Sequence, residues 1–470
     1  MRIESSLDLI RKKMRDKDIS ESYIENFVAQ VRKVAQSMDT TVDMRSVRSP
    51  QSDLLLEPPD NVEDLKELEQ VGLNLLANVA VIKLNGGRST TMGGNTPKGI
   101  LTAKDGYSYL EIICNQIKFL RHETGCDIPL ALMNSFFTHE PTLSLLSKIG
   151  FEATTFVQNQ VPRLLVDDFT PLALGNHEDW APPGHGDVYE SLLDSGVIQG
   201  LLRRGIKWAF ISNLDNLAAF LDPWIVGLIA RDKIDFLLEV TPRTVEDSKG
   251  GILVAKDGAI KLVEIAQVSD DDKPLFMNIQ DFRVFNTNNV WIDLEKTNQL
   301  LLSNQLELPI IQNKKVIEGH SVVQLETAMG AAIGSFERAR GLIVGRDRFF
   351  PTKRVEDLFV LQSDACVLDS SFRLLRNPKR PCSLSNRPMV RFDNSFLDSP
   401  LEFSRRFEDP ASVSLARAEY LNVSGDVYFE RNVKIEGSVD VAPKDGMTYR
   451  VSAGSTLKDA RYPYHPGSWP

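Results

Sequence analysis

The sequence predicts an α/β protein with a mixed, mostly parallel sheet, followed by a small C-terminal β-helix. Between residues 77 and 376, short apolar runs such as VAVIKL, WAFISNL and DFLLEV alternate with helical patterns such as YLEIICNQIKFLRHE. Such alternation is typical of parallel sheets whose strands are connected by helices. Near the end of the chain, apolar residues recur every six positions, which is typical of the coils of a β-helix.

Residues 1–76 are polar and have helical patterns. Their apolar residues recur at helical spacing: Tyr23, Phe27, Val31 and Val34. After the pair Pro58-Pro59, Asn61 stands where an N-cap would begin a further helix. We therefore predict an N-terminal helical segment that packs on the main domain.

The C-terminal part, residues 377–470, begins with a connector rich in Pro, Arg and Ser that extends to about residue 412. Beyond it, two series of apolar residues keep the six-residue period: Leu421, Val427, Val433 and Val439, and Val423, Phe429, Ile435 and Val441. A β-meander is the alternative, but the fixed period favours a β-helix of about two or three coils. So short a β-helix leaves an edge that a partner subunit could cover.

Composition excludes several classes of function. The formal net charge of −10 argues against non-specific nucleic-acid binding. No run approaches the roughly 18 apolar residues of a transmembrane helix, and the charged N-terminus lacks the apolar core of a signal sequence. The four cysteines form no CxxC pair, so no zinc site or disulfide framework is predicted. We expect a cytoplasmic protein with no nucleic-acid or membrane partner.

The segment VIKLNGGRSTTMGGNTPKG indicates a phosphate-binding loop. An apolar run ends at Leu84 and leads directly into Asn85, Gly86 and Gly87, and Lys98 follows. Glycine lets anionic oxygens approach backbone N–H groups that a Cβ would shield, and lysine adds a point charge suited to phosphate. The segment matches neither the Walker pattern nor GxGxxG.

Two further polar motifs indicate ligand contacts. Gln158 in FVQNQVPRL could present both a donor and acceptors to a ligand, although a glutamine on a surface loop is the plainer interpretation. Gly184 and His185 in PPGHGD have almost no apolar neighbour to pack against. Flanking glycines would let the imidazole lie close to a ligand.

Asn213, Leu214 and Asp215 directly follow the buried run WAFIS. An aspartate at the carboxyl end of a strand, beside a triphosphate, is a natural Mg²⁺ ligand. Because Mg²⁺ keeps several waters and binds substrate phosphates, one carboxylate is sufficient. A helix N-cap is the structural alternative.

The remaining candidates lie further along the chain. Glu264, at the end of a strand-like run, could accept hydrogen bonds from sugar hydroxyls. FNTNNVWI places Asn288 and Asn289 in a strand-like run against their propensity, as happens at functional sites. Lys353 belongs to the basic stretch GRDRFFPTKR, where a cation could offset negative charge on a ligand, although a solvated face is the usual interpretation.

The string LNGGxxTxMGxxxPK closely resembles the nucleotide loop of UDP-glucose pyrophosphorylases of the eukaryotic type. The segments QNQVPR, PPGHGD and RDRFFPTK follow in the order of that family, so the resemblance runs from about residue 70 to 455. It implies a Rossmann-like (GT-A-like) nucleotidyltransferase with a left-handed C-terminal β-helix. It also implies Mg²⁺ as the cofactor, UTP and glucose 1-phosphate as substrates, UDP-glucose and pyrophosphate as products, and a homo-oligomer formed through the C-terminal domain.

The resemblance also implies a role for each matching residue. Lys353 and Lys98 would be catalytic, and Asp215 would bind the metal. The residues expected to bind UTP are Leu84, Asn85, Gly86, Gly87, Lys98, Gln158, Gly184, Asp215 and Lys353. The residues expected to bind the sugar phosphate are Gly86, Gly87, His185, Asn213, Leu214, Asp215, Glu264, Asn288 and Asn289.

The chain departs from the family pattern at two places. Arg88-Ser89 stands where the family has Leu-Gly, and Gly99 follows Lys98 where the family usually has Ser. The Lys-Gly pair is closer to the N-acetylhexosamine relatives, whereas Gly184-His185 favours glucose. A broader or different sugar-phosphate specificity therefore stays open, as does a non-catalytic sugar-nucleotide-binding subunit on the same fold.

Overall fold

The structure, a computed structural model, describes residues 2–36, 41–94, 96–244, 247–393, 395–397, 399–444 and 446–463. The N-terminal elements are α1 (Arg2–Arg15), α2 (Glu21–Ala35), β1 (Leu55–Leu56) and α3 (Val62–Leu73). The central elements are β2 (Val79–Asn85), β3 (Thr102–Lys104), β4 (Tyr107–Ser108), α4 (Tyr109–Thr124), β5 (Leu130–Asn134), α5 (His139–Ile149), β6 (Thr154–Val157), β7 (Val161–Pro162), β8 (Leu164–Leu165), β9 (Trp180–Ala181), α6 (Val188–Asp194), α7 (Val197–Arg203), β10 (Trp208–Asn213), α8 (Pro223–Asp232), β11 (Phe236–Pro242), β12 (Ile252–Lys256), β13 (Ala259–Val263), α9 (Lys273–Phe276), β14 (Val284–Asp293), α10 (Leu294–Leu302), β15 (Ile311–Ile317), β16 (His320–Glu326), β17 (Ala339–Ile343), α11 (Val355–Gln362), β18 (Cys366–Leu368) and β19 (Leu374–Arg376). The C-terminal elements are β20 (Met389–Phe392), α12 (Pro400–Arg406), β21 (Ser414–Val423), β22 (Asp426–Phe429), β23 (Lys434–Val441), β24 (Thr448–Val451) and β25 (Thr456–Tyr462).

The main sheet has the strand order β1-β17-β11-β14-β10-β2-β5-β6. All neighbours pair in parallel except β14, which is antiparallel to both β11 and β10. Alternate residues of β2 enter two different apolar cores, with Val81 on one face and Ile82 on the other. This confirms the predicted mixed, mostly parallel sheet between helical layers, and it brings the carboxyl ends of β2, β5, β6 and β10 to one edge.

The N-terminal segment packs on the main domain as predicted. The buried residues of α1 and α2 share a core with Val161, Trp180 and Leu325, and the Asn61 side chain accepts a hydrogen bond from the Asp64 N–H, capping α3. The expectation of a wholly helical segment missed β1, which pairs with β17 at the edge of the main sheet. A strand of two residues is too short to leave a periodic pattern in the sequence.

In the C-terminal part, β20, β21, β23 and β25 pair in parallel, and so do β22 and β24. From β21 onwards the paired residues lie about twenty positions apart, as in Ile435 with Leu457. Every residue of the two six-residue series is buried. The connector is less extended than expected, because it contains β20 and α12, and α12 contributes Phe403 to a cluster with Phe359 and Phe407. No helix in the described ranges is long and apolar enough to cross a membrane.

Candidate active site

A cavity of about 290 Å³ opens at the carboxyl ends of β2 and β10. Its walls are formed by Leu84, Asn85, Gly86, Gly87, Lys98, Met133, Gln158, Pro182, Gly184, His185, Asn213, Leu214 and Asp215. All of these except Met133 belong to motifs that were singled out from the sequence, Pro182 as part of PPGHGD. Met133 carries no polar signal, and only the fold places it beside the others.

Lys98 and Asp215 form an ion pair across this cavity. The Lys98 ammonium donates to Asp215 Oδ2 and to the Thr352 carbonyl, both at 2.8 Å. Asp215 Oδ1 is buried and has no hydrogen-bond partner among the described residues. The predicted N-cap alternative for Asp215 is wrong, because α8 begins after Asp222. An unpaired carboxylate oxygen beside a lysine suits a divalent cation that also binds phosphate.

His185 is held as a neutral donor. Its Nδ1 accepts a hydrogen bond from the Met329 N–H at 3.0 Å, so the ring proton is on Nε2. Burial, together with the charge of Lys353, lowers the pKa of His185 to about 4. The neighbouring Gly184 has a φ of 84°, and a Cβ there would collide with the Thr327 backbone. The PPGHGD segment therefore packs too closely on Thr327 to accept larger residues.

Gln158 and Asn85 fix the opposite wall. A Cβ on Gly86 would lie 3.1 Å from the Gln158 amide nitrogen, so glycine allows the glutamine to approach the loop. The Asn85 amide donates to Asn134 Oδ1 and to Thr142 Oγ1, both at 2.8 Å, tying β2 to β5. This side chain supports the loop from behind.

The two departures from the family pattern have different structural settings. A Cβ on Gly99 would lie 2.7 Å from Asn85 Oδ1, so packing against Asn85 explains the glycine without reference to the sugar. The Arg88 guanidinium lies 3.7 Å from the centre of the Phe137 ring, which is a close cation–π contact. Phe137 thus holds the long cation that replaces the apolar residue.

Asn289 does not lie where a contact with the sugar phosphate, as predicted, would place it. It is fully buried, its amide nitrogen donates to Glu239 at 3.0 Å, and its oxygen accepts from Asn216 at 3.3 Å. Asn289 therefore has no exposed surface that could contact a sugar phosphate in this structure. The register of β14 against β11 shifts at Glu239, and Asn288 in the bulge has a φ of 58°.

The sequence did not reveal the buried network that supports this region. Arg348 donates to both carboxylate oxygens of Glu239, at 2.9 and 2.7 Å, and to Asp222 at 3.0 Å. Trp291 also donates to Glu239 at 2.9 Å. The network anchors the loop that carries Thr352 and Lys353. Arg348 was noted only as part of a basic stretch, because its acidic partners are far away in sequence.

Neither Lys353 nor Glu264 is among the described residues that line the 290 Å³ cavity. Burial raises the pKa of Glu264 to about 7, and Asn286 and Lys353 partly offset this rise. Since Lys353 influences both Glu264 and His185, its ammonium lies within electrostatic reach of both side chains. Lys353 is exposed, and its backbone N–H donates to Asp357 at 2.9 Å.

Asp215 is the acidic side chain that faces the cavity. Within the described residues, no group of three or more His, Cys, Asp or Glu side chains could hold a metal ion by itself. A metal at Asp215 would therefore need ligands from a substrate, which matches the way Mg²⁺ binds with phosphates.

Comparison with known proteins identifies the family. The sequence model of the UTP–glucose-1-phosphate uridylyltransferase family matches residues 24–436. The enzyme of that name from Musa acuminata is 38% identical over 94% of both chains, and that from Saccharomyces cerevisiae is 34% identical over 93% of this chain and 88% of the yeast one. A UDP-glucose pyrophosphorylase mutant from Leishmania major, solved in complex with UDP-glucose, superposes with a TM-score of 0.84 at 32% identity, covering 97% of this chain and 98% of the other. With the motifs gathered around one cavity, these likenesses show that the chain belongs to the UTP–glucose-1-phosphate uridylyltransferase family.

Proposed function

We propose that this protein transfers the uridylyl group of UTP to glucose 1-phosphate, giving UDP-glucose and pyrophosphate. The observation that carries the proposal is the cavity in which the glycine-rich loop, Gln158, His185 and the Lys98–Asp215 pair meet. A phosphate oxygen of glucose 1-phosphate attacks the α-phosphorus of UTP. The bond from that phosphorus to the bridging oxygen of the leaving pyrophosphate breaks in the same step. No nucleophile from the protein is needed.

The nucleotide lies along the loop after β2. The backbone of Leu84, Asn85, Gly86 and Gly87 lines the cavity and faces the uridine and its phosphates. Gln158, which packs against the loop at Gly86, and Gly184 on the facing wall read the uracil, because an amide side chain and a backbone unit each offer a donor and an acceptor. Hydrogen bonding to a base edge discriminates strongly against bases that lack the matching groups.

The sugar phosphate lies on the side of His185, Asn213 and Leu214. The Nε2–H of His185 is a donor in the neutral ring and can bond a phosphate oxygen or a hydroxyl. Glucose is the favoured sugar because of Gly184-His185, while a broader range of sugars stays an alternative. Glu264 and Asn288 are the candidates for binding the sugar hydroxyls. Glu264 also lies within electrostatic reach of the Lys353 ammonium.

Charge in the reaction is offset by two lysines and a metal. Lys98 is fixed between Asp215 and the Thr352 carbonyl, and Lys353 follows directly on the same loop. Bound Mg²⁺ would supply positive charge that offsets the phosphates, and Asp215, whose Oδ1 has no hydrogen-bond partner among the described residues, is the residue that would hold it. Catalysis then depends on positioning and preorganised electrostatics.

The single displacement can be tested by its stereochemistry. With a UTP analogue that carries a chiral phosphorothioate at the α-phosphorus, one in-line step inverts the configuration in the UDP-glucose product. Two successive displacements through a protein adduct would retain it. Retention would therefore overturn the proposed mechanism while leaving the family assignment intact.

The metal role can be tested by titrating Mg²⁺. Chelation should abolish turnover, and Asp215→Asn should need roughly tenfold more Mg²⁺ for half-maximal turnover. Asp257→Asn, at the exposed tip of the β12–β13 hairpin, is the matched control and should titrate like the unaltered protein. An Asp215→Asn variant with an unchanged Mg²⁺ requirement would remove Asp215 from the metal site.

We also propose that the C-terminal strands form a left-handed β-helix whose edge mediates self-association. The parallel pairing of strands about twenty residues apart supports the coils, and β25 stands at the edge of its sheet. Light scattering on the full chain should give a multiple of 52.6 kDa, and truncation near residue 412 should lower that multiple. A monomeric full chain would contradict the association. The cytoplasmic location stays a prediction from the sequence.

A further inference from the structure

Asp187 directly follows the His185 loop, but its side chain lies away from the substrate cavity. It is buried, with 3% of its surface exposed. Its carboxylate accepts hydrogen bonds from the Asn159 N–H at 2.7 Å, the Asn159 amide at 3.1 Å and the Ser191 hydroxyl at 2.6 Å. The hydroxyl of Tyr23, on α2, is a further donor to it.

Asp187 and its donors belong to three different parts of the molecule. Asn159 adjoins Gln158, which reads the base in the proposed function, and Asp187 is two residues beyond His185, on the sugar-phosphate side. Tyr23 comes from the N-terminal helices and is itself buried, with 8% exposed. One carboxylate therefore connects both substrate loops with a helix that contributes nothing to the walls of the 290 Å³ cavity.

We propose that Asp187 is a positioning residue for both substrates, and that Tyr23 makes the N-terminal helices part of the support of the active site. The inference rests on the proposed function, since it assumes that Gln158 and His185 contact substrate. Ionised Asp187 has acceptor sites for all of these donors. A protonated Asp187 would carry an O–H donor that faces other donors. The two loops would then lose the hydrogen bonds that hold them to the same carboxylate.

The charged surroundings of Asp187 decide where it titrates. Burial raises its pKa to about 6, and the hydrogen bonds from Ser191, Asn159 and Tyr23 partly offset that rise. Glu190 and Asp194 lie on the same face of α6, and Ser20 on α2 donates to Asp194 at 3.3 Å. A second cavity behind the loop is bordered by further charged groups: Lys33, Asp43, Lys256, Lys261 and Glu307.

The direction of the pH effect follows from these contacts. Above the pKa of Asp187 the carboxylate is ionised and both loops are held, and below it they are released. Removal of the Tyr23 hydroxyl takes away a bond to the ionised form, so the pKa of Asp187 rises further. The protein would then lose affinity for its product at a higher pH.

The test is the affinity for UDP-glucose, measured by calorimetry between about pH 5 and pH 8, a range in which this ligand has no titrating group. For the unaltered protein we expect the affinity to fall roughly tenfold on acidification, with a midpoint near the pKa of Asp187 of about 6. Tyr23→Phe should move that midpoint to higher pH. Asp187→Asn should bind more weakly throughout and should lack the transition near pH 6, and any dependence that stays near pH 7 belongs to Glu264.

The Ser20→Ala variant distinguishes a positioning role of Tyr23 from a general loosening of α2. It removes the N-cap of α2 and its bond to Asp194, so the variant should unfold at a lower temperature. Its pH midpoint should nevertheless match that of the unaltered protein. A Tyr23→Phe midpoint equal to that of the unaltered protein, or an equal shift in Ser20→Ala, would overturn the proposal. Unaltered protein that does not bind UDP-glucose at any pH would overturn the proposed function itself.

Discussion

At the scale of single residues, the candidate site is a set of charges that fix one another. Lys98 holds one oxygen of Asp215, and the other is buried without a hydrogen-bond partner in the described part of the chain. Lys353 acts on two neighbours at once, since it lowers the pKa of His185 and limits the rise in the pKa of Glu264. Substrate phosphates would enter a site whose cations are already placed, so little reorganisation is needed.

Lys353 is the residue whose loss should affect turnover most selectively. We expect Lys353→Ala to lower kcat by roughly 10²- to 10³-fold, because a cation facing the departing pyrophosphate acts mainly in the transition state. The affinity for UDP-glucose, which lacks that pyrophosphate, should change much less. Steady-state kinetics and calorimetry measure the two quantities.

Lys315→Ala is the matched control for Lys353→Ala, because Lys315 is an exposed lysine on β15, outside the cavity walls. It should leave both kcat and UDP-glucose affinity unchanged. Near-normal turnover of Lys353→Ala would remove that lysine from the catalytic machinery.

The sequence singled out most of the residues that line the cavity and missed those whose contacts depend on the fold. Lys98 and Asp215 belong to local motifs at strand ends, where the chemistry can be read from neighbours in the chain. Glu239 and Arg348 are paired only by the packing of a distant loop on β11. Asn289 was expected to contact the sugar phosphate, but its amide is bonded to Glu239 and Asn216, partners that only the packing of the fold supplies.

At the scale of elements, the crossing of α3 and α8 attaches the N-terminal segment to the central domain. Gly72 on α3 faces the Pro223 carbonyl at the start of α8, and Gly227 on α8 faces the Leu68 carbonyl on α3. A Cβ at either position would collide with the backbone of the other helix. The two helices can therefore approach this closely only because both positions are glycine.

We expect Gly72→Ala or Gly227→Ala to lower the free energy of unfolding by at least about 2 kcal/mol, because neither backbone can move without displacing its helix. Gly200→Ala on α7, where a Cβ meets nothing within 4 Å, is the control. It should be neutral or stabilise by up to about 1 kcal/mol. Denaturant unfolding of the three variants measures the difference, and equal effects at all three positions would contradict the close-packed crossing.

Element prediction was accurate where the hydrophobic pattern was long. The runs that became β2, β5, β10, β11 and β14 are each bounded by polar motifs, and each lies in the main sheet. β1 and α12 were missed because they are short and lie in segments with many breaks, where tertiary packing decides the local structure. The strand-like run that ends at Glu264 is β13, as expected, but it pairs with β12 in a separate two-stranded hairpin and not in the main sheet.

At the scale of the whole molecule, the structure buries several carboxyl groups at the junction of the N-terminal helices and the central domain. Burial and the nearby charges of Asp194 and Asp187 raise the pKa of Glu190 to about 7. A carboxyl whose pKa is raised on folding stays protonated in the native state at a pH where the unfolded chain has lost the proton. Its contribution to stability therefore falls as pH rises from about 4.5 towards 7.

Glu190→Gln should remove that dependence. Above pH 7 we expect the variant to be more stable than the unaltered protein by up to about 3 kcal/mol, at roughly 1.4 kcal/mol for each unit of pKa. Below about pH 4.5 the two proteins should be equally stable, because the carboxyl is then protonated in both the folded and the unfolded states. Unfolding in denaturant at several pH values measures this.

Glu69→Gln, at an exposed position on α3, is the control and should leave the pH profile of stability unchanged. A Glu190→Gln variant that is destabilised at high pH would show that the ionised carboxylate makes a favourable contact, and would contradict the burial argument.

The most direct measurement is pyrophosphate release with Mg²⁺ and UTP, compared across glucose, galactose and N-acetylglucosamine 1-phosphates, with ATP and TTP as nucleotide controls. The walls formed by Gln158, Gly184 and His185 predict a strong preference for UTP with glucose 1-phosphate. A preference for another sugar would contradict the role given to His185. No release from any pair by folded protein that binds UDP-glucose would contradict catalysis at this site and identify a sugar-nucleotide-binding subunit instead.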